Sequence, residues 1–173
     1  MTPDWQLVLE SDLLVLRPMV TDDFEVLYAL ASDPAIWEQH PAKDRTQEPV
    51  FRRWFVEAMA SQGALVVVDK SDQQVIGTSR YVSQGNPDEI EIGWTFLATS
   101  HWGGTYNGEM KHLMLAHAFR SVQTVVFTVH SANIRSQRAV QRLGAVRTDY
   151  LPDADGQAGK IIFRLHRSNQ VAG

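Results

Sequence analysis

The sequence predicts a single α/β domain in which a mixed β-sheet carries helices on both faces. Hydrophobic periodicity gives the element order β-αα-βββ-α-β-α-ββ. Strands and helices alternate in the second half of the chain, which favours a sheet covered on both sides. The 173 residues contain no repeat, linker or low-complexity stretch, so we expect one domain over residues 1–173.

The first half of the chain opens with a strand and two helices. An apolar run at residues 13–16 predicts the strand, which we expect to end at Arg17-Pro18. Thr21-Asp22-Asp23 supplies a capping oxygen and first-turn acids, and helical spacing continues to Ala31. One apolar stripe across residues 51–59 indicates the second helix.

Three strands follow in quick succession, at residues 65–69, 75–82 and 89–97, with a hairpin turn over 71–74. The remaining predicted elements are a helix after Gly103-Gly104, a strand over 122–130, a helix over 133–143 and closing strands over 145–150 and 160–165. Gly144 can adopt the left-handed conformation that ends a helix. The segment DADGQAG, residues 153–159, predicts a mobile turn.

Composition excludes several classes of function. Twenty acidic against sixteen basic residues give a net charge of -4, so we expect no nucleic-acid partner. The absence of cysteine excludes thiol nucleophiles, Cys–zinc sites and disulfides, and no histidine pair has metal-ligand spacing. With neither a signal-like N-terminus nor a long apolar run, we expect a soluble cytoplasmic protein that does not bind membranes.

A glycine-rich turn, HWGGTYNG at residues 101–108, lies between a predicted strand and a predicted helix. The first N–H groups of a helix lack internal partners and favour an anion such as phosphate. The spacing matches neither the dinucleotide-binding nor the P-loop pattern. From the residues alone, the segment is either an anion-binding turn or an ordinary connection.

Two pairs of polar residues are candidates for acid–base chemistry. Glu89 and Glu91 alternate with isoleucines, so a strand places both carboxylates on one face, either as a general base or at a solvent-facing edge. Asn133 and Ser136 share a face at the start of a helix. The serine hydroxyl could donate a proton to a leaving group, or Asn133 could simply cap the helix.

Three segments together resemble a known family. They are LVLRP at residues 14–18; EIGW at 91–94 with WGG at 102–104 and NGEMK at 107–111; and NIRSQRA at 133–139 running through LGA at 143–145. Their order and spacing resemble the GNAT superfamily of acyl-CoA N-acyltransferases, most closely its Rim-type branch of ribosomal-protein-alanine acetyltransferases. The resemblance covers roughly residues 7–167.

The resemblance implies a mixed, mostly antiparallel sheet whose two central parallel strands, 89–97 and 122–130, splay apart to hold acetyl-CoA. It implies that acetyl-CoA is the acyl donor and that no metal takes part. The implied donor-binding residues follow the second strand, the glycine turn and the last helix: Trp94, Phe96, Leu97, Trp102, Gly103, Gly104, Thr105, Tyr106, Asn107, Gly108, Asn133 and Arg138.

One position departs from the family pattern at the glycine turn. Thr105 stands where relatives usually have glycine, and a β-branched residue disfavours positive φ. We expect Gly104 to take the left-handed conformation instead.

The resemblance also implies the reaction, which is direct acetyl transfer in a ternary complex to a primary amine, either a protein N-terminus or a small molecule. Glu91 is the expected base and Glu89 the second choice, Ser136 protonates the leaving sulfur, and Asn133 orients a water or the pantetheine amide. Ser136 takes the role that a tyrosine at the position of Val140 has in many relatives. The expected acceptor-binding residues are Trp37, His40 and Glu89.

Two other functions stay open at this point. A non-catalytic CoA-binding module would keep the cradle without turnover, and Thr105 is the feature that favours it. A hydrolase or isomerase on another α/β scaffold has no triad or dinucleotide motif in its support. Because relatives are often dimers, we also consider a homodimer, although no apolar stripe marks an interface.

Overall fold

A computed structural model describes residues 2–154 and 158–170, which form one sheet with helices on both faces. The strands are β1 (Leu9–Glu10), β2 (Leu14–Pro18), β3 (Ala64–Asp69), β4 (Val75–Val82), β5 (Glu89–Leu97), β6 (Thr124–His130), β7 (Val146–Leu151) and β8 (Lys160–His166). The helices are α1 (Phe24–Ala31), α2 (Glu48–Ala60), α3 (Tyr106–Ala118) and α4 (Ile134–Arg142). The element order matches the predicted one, with one additional short strand at the start.

The strand order across the sheet is β1-β2-β3-β4-β5-β6-β8-β7, and β5–β6 is the one parallel pair among the described strands. These two strands pair only where Glu89–Glu91 lies beside residues 124–126. Beyond that point β5 continues to Leu97 and β6 to His130 without further pairing between them. The predicted splayed pair at the centre of a mostly antiparallel sheet is therefore confirmed.

Two hydrophobic cores lie on opposite faces of the sheet. Alternate residues of β3 point to opposite sides, as the pleat requires. Leu65 and Val67 join the core that contains α3 and α4. Ala64, Val66 and Val68 join the core that contains α1 and α2. Helices thus cover both faces, as the sequence predicts.

A β-bulge interrupts β5 at the point where it leaves β6. Thr78 of β4 faces Phe96, whereas Arg80 faces Gly93, so β5 contains one residue more than β4 between these pairs. Trp94 lies in the bulge with a φ of 52°. The extra residue changes the direction of the β5 backbone next to the gap between β5 and β6.

Several boundaries differ from the predicted ones for local reasons. Two-residue β1 is too short to show a pattern in the sequence. Strand β2 continues through Pro18. Proline has no N–H to donate, but β1 pairs with β2 only as far as Leu16, so no hydrogen bond to β1 is lost at Pro18. Gly144 does adopt a left-handed φ, 96°, after α4. The predicted turn at 153–159 includes residues 155–157, which lie outside the described residues.

None of the helices in the described part of the chain is both long enough and apolar enough to span a bilayer.

We expect Gly77→Ala to lower the free energy of unfolding by about 1–3 kcal/mol, the usual range for overpacking. A Cβ atom at Gly77 would collide with the backbone carbonyl oxygen of Phe96, which cannot move without disturbing the β4–β5 pairing. Urea unfolding measures the effect. Gly108→Ala is the matched control, because a Cβ there meets no atom within 4 Å. Equal stability of Gly77→Ala and the wild type would contradict the close approach of these strands.

Candidate functional site

A cavity of about 680 Å³ opens where β5 and β6 diverge. Three groups of residues line it. From the splayed strands come residues 92–97 and 127–130; from the glycine turn and α3, Trp102, Gly103, Gly104, Asn107, Gly108, Lys111 and His112; and from α4 and the segment after α1, Asn133, Arg135, Ser136, Trp37, His40 and Arg45. The cavity therefore connects elements that lie on the two opposite faces of the sheet.

The glycine turn lines one end of this cavity, but its left-handed residue is not the expected one. Gly103 has the positive φ, 72°, whereas Thr105 has a right-handed conformation with a φ of -91°. The expectation for Gly104 is therefore wrong. The chain reverses one residue earlier, and the Thr105 carbonyl already accepts the N–H of Glu109 as part of the helix. Thr105 and Tyr106 do not line the cavity.

A buried aspartate holds both ends of the turn. One carboxylate oxygen of Asp69, at the end of β3, accepts a hydrogen bond from the Tyr106 hydroxyl at 2.9 Å and contacts His101 Nε2 at 3.1 Å. The other oxygen accepts the Ser71 N–H at 2.9 Å. The hydrogen bonds from Ser71 are the largest cause that lowers the pKa of Asp69 to about 2. An ionised carboxylate thus fixes the loop against the sheet.

Trp102 connects the turn to both neighbouring elements. Its indole N–H donates to the Leu97 carbonyl at 2.9 Å, at the end of β5. The Arg135 guanidinium from α4 stacks over the indole ring, 3.9 Å from the centroid. The backbone N–H of Arg135 also donates to Gln39 Oε1 at 3.1 Å. The turn, α4 and the segment after α1 therefore surround the same opening.

The start of α4 brings Asn133 and Ser136 into the cavity lining. Asn133 is the N-cap, and its side-chain oxygen accepts the Ser136 N–H at 3.2 Å. Asn133 therefore caps the helix, which was one of the two roles that the sequence left open. Its place in the cavity lining is compatible with a second role in the site. Arg138, two residues further on, is exposed and lies outside the lining, so its part in donor binding stays a prediction.

The two glutamates of β5 have different surroundings, and neither belongs to the lining. Glu91 is 6% exposed, accepts a hydrogen bond from Gln84 Nε2 at 2.5 Å and lies beside Gly93, which does line the cavity. Glu89 forms an ion pair with Arg164 Nε at 3.2 Å. The acceptor-binding role expected for Glu89 therefore has no direct support from its position.

Trp37 and His40 lie in the cavity lining, in the segment after α1. The Trp37 indole N–H donates to the Ala31 carbonyl at 2.8 Å. The Trp37 and His40 rings make an edge contact, with their centroids 5.5 Å apart. Burial lowers the pKa of His40 to about 4, and nearby Arg45 adds to this effect. His40 is therefore neutral at pH 7.

Sequence reasoning missed Lys111, which lines the cavity from α3. The residue is 6% exposed, and its Nζ donates to Thr95 Oγ1 at 2.6 Å and Ser79 Oγ at 3.3 Å. Burial lowers its pKa to about 7. The signal was available, since Lys111 continues the apolar helical stripe of Met114, Leu115 and Ala118 and thus puts an amine on a buried face.

The described residues contain no group of three or more histidine, aspartate or glutamate side chains placed to hold a metal ion.

A comparison with family models identifies residues 14–146 as an acetyltransferase (GNAT) domain. The chain belongs to the GNAT acetyltransferase family. The match covers most of the chain and includes the splayed strands, the glycine turn and the start of α4.

Solved structures with the same fold agree with this GNAT assignment. A GCN5-related N-acetyltransferase from Brucella melitensis superposes with a TM-score of 0.81 at 18% identity, over 95% of this chain and 80% of that one. Mycobacterium smegmatis RimJ in complex with CoA-disulfide has a TM-score of 0.74 at 19% identity, over 97% of this chain and 91% of that one. An acetyltransferase from Agrobacterium tumefaciens has a TM-score of 0.76 at 22% identity, over 93% of this chain and 95% of that one. These likenesses establish the fold.

In this GNAT domain we expect Asp69→Asn to lower the denaturation midpoint at pH 7. The pKa of Asp69 falls from 3.8 to about 2 on folding, so its carboxylate stabilises the native state above about pH 4. That contribution is lost as the pH falls from about 4 to about 2. The difference in denaturation midpoint between the wild type and Asp69→Asn should therefore become smaller as the pH falls from about 4 to about 2.

Thermal unfolding followed by circular dichroism from pH 2 to pH 7 tests this. Asp12→Asn serves as the control, because Asp12 is exposed and makes no hydrogen bond within residues 2–154 and 158–170. A difference for Asp69→Asn that stayed constant down to pH 2 would show that the ionised carboxylate does not stabilise the loop.

Proposed function

We propose that this protein transfers the acetyl group of acetyl-CoA directly to a primary amine, on a protein N-terminus or a small molecule, in a ternary complex. One observation carries the proposal. One cavity is lined by the glycine turn, by the diverging parts of β5 and β6, and by Trp37 and His40. Such a cavity can bring a donor from one side into contact with an acceptor from the other, and this proximity contributes much of the rate.

The donor end offers unpaired backbone groups to an extended ligand. Strand β5 has no β6 partner beyond Glu91, so its backbone from Trp94 to Leu97 can pair with the pantetheine amides as an added strand would. Gly103, Gly104, Asn107 and Gly108 line the same cavity, and backbone N–H groups at such a helix start suit the pyrophosphate. The complex of RimJ with CoA-disulfide, which has the same fold, supports this assignment.

The acceptor amine must lose a proton before it attacks the thioester. A lysine side chain has an ordinary pKa of about 10.4 and an α-amine about 7.7–8.0, so most acceptors arrive as ammonium. Glu91 is the base we favour, because it is buried beside Gly93 at the cavity wall. Its carboxylate would take the proton through a water molecule. Glu89 is less suited, since Arg164 already engages its carboxylate.

The departing sulfur needs a hydrogen-bond donor. The backbone of Ser136 is fixed by Asn133, and the side chain lies in the cavity wall. Its hydroxyl makes no hydrogen bond to the rest of the described chain, so it is available to the thiolate. A backbone N–H near Phe96 or Leu97 would stabilise the oxyanion that forms on the thioester carbonyl.

The alternative of a non-catalytic CoA-binding module loses its main argument. Thr105 favoured that alternative as a residue unsuited to positive φ. Thr105 takes a right-handed conformation without strain, and Gly103 makes the turn. No feature of the cavity favours binding without turnover.

We expect Ser136→Ala to lower kcat by about ten- to a thousandfold with little change in acetyl-CoA affinity. A general acid contributes about 10²–10⁴-fold, and water replaces part of this when the hydroxyl is removed. The assay follows amine-dependent thiol release from acetyl-CoA over a panel of amines. Ser121→Ala is the control, since Ser121 is exposed and does not line the cavity.

Two outcomes would contradict these assignments. Unchanged kcat with a collapse of acetyl-CoA affinity in Ser136→Ala would make Ser136 a donor-binding residue. Thermal stabilisation by CoA without thiol release under any amine would make the protein a binding module.

A further inference from the structure

Arg80 is a buried cation that the fold leaves without a hydrogen-bond acceptor. It lies on β4 and is 5% exposed, and its Nε and Nη2 are buried with no partner in the described part of the chain. The guanidinium sits between two indole rings, 5.3 Å from the centroid of Trp54 and 4.9 Å from that of Trp94. Because a buried charge is costly unless it is paired, these atoms indicate a missing anion.

A second arginine occupies the same region. Arg45 lines the cavity, and its guanidinium lies 5.1 Å from the centroid of the Trp37 ring. Within residues 2–154 and 158–170 it forms no ion pair. Glu57 is an acidic side chain near both arginines, but it is exposed on α2 and contacts neither within 4.0 Å. Asp44 is the acidic neighbour of Arg45 in the chain.

Two further basic side chains lie close to His40, and Glu38 is an acidic side chain near Arg135. His130 and Lys160 lie close enough to lower the pKa of His40, which is itself neutral at pH 7. Lys111 belongs to the opposite wall, where Thr95 and Ser79 hold its amine. The acceptor end therefore presents an excess of positive charge, whereas the chain as a whole carries a net charge of -4.

The sheet register places Arg80 and Glu91 on the same face. Arg80 is opposite Gly93, and Glu91 is opposite Val82, two residues along β4. Such diagonal neighbours have Cα atoms about 7–8 Å apart. Trp94 links Arg80 to the cavity, since its ring contacts the guanidinium and its residue belongs to the lining. Arg45 lines the cavity directly, whereas Arg80 and Glu91 lie just behind the lining, next to Trp94 and Gly93. A small molecule with an amine and an anion therefore meets Arg45 first and reaches Arg80 when the Trp94 ring shifts.

We propose that the acceptor is a primary amine that also carries a carboxylate, which Arg80 and Arg45 bind. The inference rests on the proposed acetyl transfer. The planar guanidinium matches the two oxygens of a carboxylate with parallel N–H donors. In the reaction the amine nitrogen forms a bond to the acetyl carbon and the carbon–sulfur bond breaks. The ammonium form of the acceptor first gives one proton to Glu91, which later releases it to solvent. As the amide forms, the nitrogen loses a second proton. That proton restores the Ser136 hydroxyl, which has given its own proton to the sulfur, and CoA leaves as the thiol.

The same charges select against other amines. A polyamine or a lysine-rich N-terminus would bring further cations next to two arginines without relieving the unpaired guanidinium, so repulsion discriminates against it. Amino acids and peptides with an acidic residue next to their free amine carry the required pair of groups.

Matched acceptors test the proposal directly. With acetyl-CoA as donor, we expect alanine to exceed alaninamide in kcat/KM by at least about tenfold, since losing the partner of a buried charge costs more than an ordinary hydrogen bond. Putrescine should be poorer still. Peptides Ala-Asp-amide and Ala-Asn-amide form a second pair, which distinguishes a free amino acid from an acidic protein terminus. A preference for the carboxylate in either pair supports the proposal, and its absence in both overturns it.

Variants of the two arginines test whether these side chains cause the preference for a carboxylate. Arg45→Gln should reduce the alanine-to-alaninamide ratio toward one, and Arg80→Gln should do so more strongly. Arg53→Gln removes the same charge from the exposed face of α2 and should keep the wild-type ratio. If Arg80→Gln does not fold, Arg45→Gln still tests whether these arginines cause the preference for a carboxylate, because Arg45 lies in a short turn outside the sheet. An Arg45→Gln variant that lowered both members of a pair equally would overturn the assignment of the carboxylate to these arginines.

A binding measurement separates this inference from the proposed function. Calorimetry of the CoA-saturated protein with N-acetylalanine and N-acetylalaninamide requires no turnover. Preferential binding of N-acetylalanine that Arg45→Gln abolishes supports the carboxylate site even if no amine releases thiol, in which case the acetyl-transfer proposal alone fails. Turnover of amines with equal binding of the two products would overturn the carboxylate site and leave acetyl transfer standing.

Discussion

The early end of hydrogen bonding between β5 and β6 is the constraint on which the rest of the site depends. The two strands share only three residue pairs and then separate with their backbone groups still extended. Unpaired N–H and C=O groups inside a protein need partners, so the gap between the strands favours a ligand that supplies them. The bulge at Trp94 adds to the separation by turning the β5 backbone where the pairing stops.

The surrounding structure holds this gap open from two sides. Each face of the sheet has its own core, with α3 and α4 on one and α1 and α2 on the other, so neither strand can close onto its neighbour without disturbing a packed layer. Asp69 fixes the glycine turn at His101 and Tyr106, and Trp102 ties that turn to β5 and to α4. The glycine turn is thus held in place by contacts to β3, β5 and α4.

Pattern reasoning located the parts of the site that have a local signature. The glycine turn and the Asn133 cap each follow from the spacing of a few neighbouring residues. Arg80 has no such signature, because β4 is buried on both faces and its polar residues show no alternation. Its surroundings are formed by Trp54 of α2 and Trp94 of β5, which contact it from other elements of the fold.

The sequence by itself determined the order of the elements, the faces of the strands and the family, because these depend on periodicity and on short motifs that act over a few residues. Only the tertiary structure decided that Gly103 rather than Gly104 makes the turn, that Glu89 pairs with Arg164, and that Arg45 contacts Trp37 while Arg80 contacts Trp54. These features arise where segments far apart in the chain come into contact. Burial and the local field there depend on every neighbour at once, and no local pattern records them.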